Sequence, residues 1–181
     1  MKSIALESLH RALGAKMAAF AGFEMPIQYE GLQKEHLHVR QKVGVFDVSH
    51  MGEFFVRGEG AEEFLQKVTT NDVAKLYPGK VQYSCLPNDK GGIVDDLLVY
   101  MLAENEYLLV VNAANLEKDF QWLEQHRPSE VELEDRSDDY CLFAVQGPEA
   151  DTAIQSLTDL PLREMQFYTF ATSTFAGVEG T

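Results

Sequence analysis

The chain reads as an α+β protein, antiparallel β-sheets with flanking helices, and three features of its 181 residues carry that reading. Short runs rich in Val, Ile and Leu are mixed with segments of helical period, without the regular succession that builds a parallel sheet. Two apolar runs, residues 93–102 and 107–111, are joined only by Ala103-Glu104-Asn105-Glu106, the spacing of an antiparallel hairpin. Hydrophobic residues make up 45% and charged residues 24%, ordinary for a globular chain that can bury a sizeable core in one or two domains.

In chain order, residues 3–13 carry Ile4, Ala5, Leu9, Ala12 and Leu13 in a helical pattern that stops at Gly14. Residues 16–26 are apolar, contain Gly22 and end on Pro26, which predicts a short strand and a turn. Leu32, His36, Val39, Arg40 and Val43 mark a second helix ended by Gly44. Strands follow at residues 45–49 and 53–57. Beyond the turn Gly58-Glu59-Gly60 lies an amphipathic helix, Ala61–Val68, that buries Phe64, Leu65 and Val68. Pro78-Gly79 is a turn before a strand at residues 81–86. After the hairpin, Asn112 or Asn115 is placed to cap a helix with Leu116, Phe120 and Leu123 along one face, and Pro128 lies past its end. Val131 and Leu133, then residues 141–145, read as two more strands. Gly147-Pro148 opens a helix with proline at its first position, Leu160-Pro161 breaks it, and residues 167–175 read as a last strand. Boundaries fall near Gly52 and residues 135–139, and there is no internal repeat.

A net charge of −14 argues against a nucleic-acid backbone or an anionic membrane as partner. No apolar run approaches the ~20 residues that span a bilayer. The first residues have neither a signal-peptide core nor an Arg-rich transit character, so a cytoplasmic location is expected. Cys85 and Cys141 are far apart, fit no metal spacing and sit in apolar stretches, as reduced core thiols do. His36 and His38 are two apart, whereas helical ligands need three or four, and no metal site is expected. Asp47, Ser49 and His50 imitate a catalytic triad in composition only, because adjacent strand residues point to opposite faces.

The chemistry concentrates in Gly91-Gly92-Ile93-Val94-Asp95-Asp96-Leu97-Leu98-Val99-Tyr100. Two carboxylates interrupt an apolar strand near its start, and each is costly there unless paired, hydrogen-bonded or protonated. Alternation sends Asp96, Leu98 and Tyr100 to one face and Asp95, Leu97 and Val99 to the other. Asp96 and Tyr100 then lie roughly 13 Å apart on one face, a span that suits a flat ligand.

This segment, together with Gly44-Val45-Phe46-Asp47-Val48-Ser49-His50-Met51-Gly52-Glu53, resembles the T-protein of the glycine cleavage system, a tetrahydrofolate-dependent aminomethyltransferase. The similarity opens at Gly14-Ala15-Lys16-Met17 and Ala21-Gly22-Phe23-Glu24-Met25-Pro26. It continues through Asn71-Asp72, Val111-Asn112-Ala113-Ala114-Asn115, Glu117-Lys118-Asp119 and Gln146-Gly147-Pro148. What it implies is a folate-binding T-protein-like fold. It also implies transfer of a methylene carbon from the aminomethyl-lipoyl arm of the H-protein to tetrahydrofolate, with release of ammonia and no metal. By the same resemblance Asp96 is the catalytic acid, and Met51, Tyr83, Tyr100, Val110, Asn112 and Tyr168 line the folate pocket. Strand alternation agrees for Val110 with Asn112 and for Asp96 with Tyr100, whereas Asp95, on the other face, reads as structural.

The resemblance also implies two subdomains, residues 1–51 with 139–181 and residues 52–138. The first is expected to be incomplete at its C-terminal side, and the family's C-terminal β-barrel to be absent. Family members run to about twice this length, so the chain reads as an N-terminal half, inactive by itself. The rival expectation is a folate-binding relative that performs no transfer, of the iron–sulfur maintenance kind. Those relatives generally lack the acid at position 96, so the intact Asp95-Asp96 pair favours the enzyme. Folate domains fused to dimethylglycine or sarcosine oxidases would bring a flavin domain for which this chain is too short.

Overall fold

The computed structural model describes residues 1–181 and divides into two compact units. One comprises Met1–His50, Cys141–Met165 and Ala171–Thr181; the other comprises Met51–Tyr140 and Gln166–Phe170.

The first unit begins with β1 (Lys2–Ser3), α1 (Glu7–Ala12), β2 (Lys16–Phe20) and β3 (Phe23–Gln28). Residues 16–26, expected to form a short strand and a turn, form a strand, a turn and the start of a second strand, a tight hairpin in which β3 also pairs with β1 in parallel. Ala21 (φ 48°) and Gly22 (φ 86°) turn it, a left-handed pair that a two-residue connection needs. The first helix starts four residues later than its apolar pattern, because Lys2 and Ser3 pair in the sheet instead. α2 (Leu32–Gln41) is capped by Glu35, whose Oε1 accepts the N–H groups of Tyr29, Glu30 and Gly31 at 2.9, 2.7 and 2.8 Å. β4 (Gly44–Asp47) carries Asp47 to His10, with Asp47 Oδ2 2.8 Å from Nε2. Asp47 therefore serves His10 and the Ser49 N–H, while Ser49 Oγ accepts from Leu142 N–H at 3.0 Å, so no triad forms.

The second unit is built on β5 (Gly52–Arg57), β6 (Val81–Pro87), β7 (Ile93–Ala103), β8 (Glu106–Val111) and β9 (Glu132–Asp135), in the order β6-β7-β8-β5-β9, every pair antiparallel. α3 (Ala61–Val68) and α4 (Leu116–His126) cover one face of this sheet. α3 buries Ala61, Phe64, Leu65 and Val68, the stripe its period predicts. These pack with Phe54, Val56, Leu97, Val99, Leu109 and Leu123 into one core. Each such fully buried side chain stabilises the unit by roughly 1.5–3 kcal/mol.

The chain then returns to the first unit. β10 (Phe143–Gln146) pairs with β4, α5 (Ala150–Ile154) follows, and β11 (Ser173–Phe175) forms a short ladder with β12 (Val178–Gly180). Gly147 (φ 129°) has no room for a side chain, since a Cβ there would meet the Lys42 carbonyl at 2.3 Å. Two expectations fail here. Pro148 precedes the helix cap Glu149 rather than opening the helix. Residues 167–172 are not a strand: Tyr168 takes φ 58°, which breaks an extended run. Both cysteines are free, but neither is a core thiol: Cys141 is exposed, and Cys85 pairs across from Asp96 on the half-open face. No helix is long and apolar enough to cross a membrane.

Candidate functional site

Asp96 and the six pocket candidates, Met51, Tyr83, Tyr100, Val110, Asn112 and Tyr168, all belong to the second unit, and most stand on the sheet face that α3 and α4 leave open. In β7, Asp95, Leu97, Val99 and Met101 are buried while Asp96, Leu98 and Tyr100 are half-buried. Register carries this face across the sheet: Tyr83 opposes Leu98, Leu98 opposes Val110, and Val110 opposes Glu53. The β5–β8 ladder ends at Gly52 opposite Val111, so Met51 and Asn112 are the next residues on their strands. Gly52 lets the helix approach, since a Cβ there would lie 2.0 Å from Leu116 Cδ2.

Asp96 is held from both sides. Tyr83 Oη donates to Oδ2 at 2.8 Å, and Asn112 Nδ2 donates to Oδ1 at 3.0 Å and to the Asp96 carbonyl at 3.1 Å. The Tyr83 phenol is pushed up to about 12, chiefly because its hydroxyl proton serves this carboxylate. Asn112 also reaches Asp95 Oδ1 at 3.2 Å. Neither Asn112 nor Asn115 caps α4 with its side chain, contrary to the sequence expectation. A short 3-10 turn, Ala113–Asn115, intervenes, which leaves the Asn112 amide free to turn back to the sheet.

Tyr100 stands at the other end of the face, its ring 5.3 Å from that of Phe170 at 60°. Burial, and then the neighbouring Tyr168, raise its phenol above the ordinary value. Residues 166–170 come back to the edge of β6, where the Val81 N–H donates to the Tyr168 carbonyl at 2.9 Å. An open recess results, with Asn71, Lys80, Tyr83, Phe167 and Tyr168 among its lining. Tyr83, Asp96 and Asn112 thus form one hydrogen-bonded group, and Tyr168 stands beside Tyr83 and Tyr100. Val110 is a buried wall between these groups, and Met51 borders the face at its Asn112 end.

Sequence reading did not single out two buried acids. Glu53 lies in line with Val110 and is 3% exposed, and burial, then Asp135, raise its carboxyl to about 7. Asp119 on α4 is fully buried, and its carboxyl is raised to about 8 by burial and then by Asp95. Its signal was available: Asp119 falls between Leu116 and Leu123 on the apolar stripe of α4, where a carboxylate is out of place.

Chemically, the open face offers apolar and aromatic walls with a half-buried carboxylate, Asp96, oriented by two donors. A flat heteroaromatic with N–H groups fits such a surface.

The family model of the GCVT N-terminal domain matches residues 6–181. An aminomethyltransferase of Flavobacterium psychrophilum is 56% identical over 179 residues, covering 99% of this chain and 50% of that protein. One from Bacteroides thetaiotaomicron is 57% identical over 179 residues, again covering 99% and 50%. The chain therefore spans about half the length of the curated relatives it matches. Among solved structures, the glycine cleavage system aminomethyltransferase T of Bartonella henselae superposes with a TM-score of 0.86 at 40% identity, over 93% of this chain and 46% of that one. A Corynebacterium heterotetrameric sarcosine oxidase shares the fold at a TM-score of 0.54 and 20% identity, over 76% of this chain and 67% of that one.

Proposed function

This chain belongs to the GCVT N-terminal domain family, and from that premise we propose that it supplies the acid and one wall of the folate site of a glycine cleavage aminomethyltransferase. The reaction moves a methylene carbon from the aminomethyl-lipoyl H-protein to tetrahydrofolate and releases ammonia. The protein acts in the cytoplasm, and residues 1–51 with 139–181 and residues 52–138 form the family's first two subdomains.

The observation that carries this reading is Asp96, half-buried on the open face and gripped by Tyr83 and Asn112. Tetrahydrofolate, when bound, supplies a ring nitrogen that takes the methylene carbon. The chain's own residues do the rest. Leu98, Val110, Tyr100 and Tyr168 offer a surface for a flat ring and exclude water from it. Two carbon–nitrogen bonds form to the folate while the carbon's bonds to the amine and to the lipoyl sulfur break. Of the two protons the folate nitrogens give up, one leaves with the amine as ammonia and the other ends on the dihydrolipoyl thiol, and Asp96 accepts and passes on the first of them. Its carboxylate also stabilises the positive charge that builds at the transferring carbon, an effect enlarged where water is excluded. Met51 and Tyr83 border the ring, and the lipoylated H-protein is the partner that delivers the carbon.

The test is ammonia release from aminomethyl-loaded H-protein by the full-length protein, with and without tetrahydrofolate. Release that depends on both substrates is expected. Folate binding without any release would instead identify a non-transferring folate binder. Because the chain spans about half of its relatives, residues 1–181 by themselves are expected to release no ammonia.

A further inference from the structure

Beneath Asp96, on the helix-covered face, lies a pair of carboxyl groups, Asp95 on β7 and Asp119 on α4. Asp119 is completely buried, and both its oxygens and Asp95 Oδ2 would have no hydrogen-bond donor if both groups were charged. The two side chains are within hydrogen-bonding reach of each other. Two carboxylates can make that bond only by sharing a proton. Leaving both charged and unpartnered in the core would be strongly destabilising.

We propose that Asp119 is a protonated acid that donates to Asp95, and that this pair is a positioning device locking the Asn112 amide against Asp96. Asp95 stays the charged member because it has the other donors. Burial alone would raise its carboxyl, but contacts from Asp119, Asn115 and Asn112 hold it below the ordinary value. The charged groups that act on Asp119 are Asp95 and Asp96 from β7 and Lys118 from its own helix.

The consequence for the site follows from counting donors. Asn112 Nδ2 faces three acceptors: Asp95 Oδ1, Asp96 Oδ1 and the Asp96 carbonyl. Both amide hydrogens are therefore committed, and the amide cannot flip without setting its oxygen against two carboxylates. Asn112 Oδ1 is left as the acceptor for a ligand. A pterin edge, which carries N–H donors, would meet it well, and a purely accepting ring would not. This functional half rests on the proposed folate site, whereas the shared proton stands on the buried geometry alone.

The experiment uses the full-length protein and three variants. Infrared spectra in heavy water at pH 7, taken as wild type minus Asp119→Asn, are expected to show a protonated-carboxyl C=O band that fades as pH rises past about 8. Subtraction removes Glu53, which titrates nearby. A difference spectrum with no such band would overturn the shared proton. In kinetics, Asp119→Asn keeps a donor towards Asp95, so it should hold the KM for tetrahydrofolate near wild type and abolish the rise in KM at alkaline pH. Asp119→Val removes the donor and should raise that KM by about 10- to 100-fold, the loss of one hydrogen bond to a charged group, with a smaller change in kcat. Should Asp119→Val not fold, Asn112→Ser shortens the amide away and should raise the KM by a similar factor. Equal KM values across the variants that fold, with the infrared band present, would leave the pair structural and overturn the positioning role. If the wild type binds no tetrahydrofolate, the reading of the open face fails, and the infrared result still decides the proton.

Discussion

Replacing Asp96 by Asn changes one atom and one charge, and the geometry says which bonds survive. Asn112 can only donate to Oδ1, so the new amide must keep its oxygen on that side and set its nitrogen towards Tyr83. The Tyr83 hydroxyl can rotate to accept, so both contacts persist as neutral bonds. Charge-assisted hydrogen bonds are roughly twice as strong as neutral ones, so the exchange should cost about 1–2 kcal/mol in stability. The rate is another matter, because an amide neither takes a proton nor offers a negative charge to the transferring carbon. Loss of a general base should lower turnover by on the order of 10²- to 10⁴-fold. Ammonia release with loaded H-protein measures the rate, and urea denaturation measures the fold. An internal control exists: the Tyr83 phenol, about 12 while it serves the carboxylate, should return towards the ordinary tyrosine value. Turnover near wild type in a variant whose Tyr83 titration has shifted would refute the assignment of Asp96.

Three further outcomes are expected. Tyr83→Phe keeps the ring and removes the 2.8 Å bond to Asp96, so turnover should fall about tenfold with a drop in urea midpoint no larger than that of Asp96→Asn; an unchanged rate would detach Tyr83 from the acid. Glu53, raised to about 7 by burial, is neutral in the fold below that pH but charged when unfolded above its ordinary value near 4.5. Its contribution to stability is thus complete below about pH 4.5 and lost as pH rises through about 7, so Glu53→Gln should gain on the wild type across this window, by roughly 3 kcal/mol at most. Parallel stability curves for the two proteins would contradict the buried placement of that acid. Gly52→Ala sets a methyl 2.0 Å from Leu116 Cδ2 and 2.8 Å from Val111 Cγ2, an overpacking that should cost about 1–3 kcal/mol, read as a lower urea midpoint at unchanged slope.

Much of this architecture was legible because its signals are local. Period-two alternation in β7 put Asp96 and Tyr100 on one face, and the structure has them there. The short link to β8 made an antiparallel hairpin the economical reading, and in the fold only Glu104 and Asn105 lie between the strands; α3 was visible in its apolar stripe. What misled was also local. Residues 167–175 have strand composition, yet Tyr168 turns left-handed there, because the chain is held to the edge of β6 and its neighbour Phe170 packs on Tyr100. Asn112 looked like a helix cap because it precedes a helix. Its amide instead goes to two aspartates on the adjacent strand, where charged acceptors compete better than a helix end.

The sequence by itself determined the α+β class, the segment that bears the acid and the face on which that acid stands, since periodicity and turn chemistry are properties of neighbours along the chain. Only the tertiary structure decided the states of the buried acids. Asp95 and Asp119 are 24 residues apart and meet because α4 lies against β7, and the Glu53 carboxyl is raised to about 7 because the folded chain removes its water. Desolvation and proton sharing depend on what packs around a group in space, and a residue's place in the chain carries no record of that.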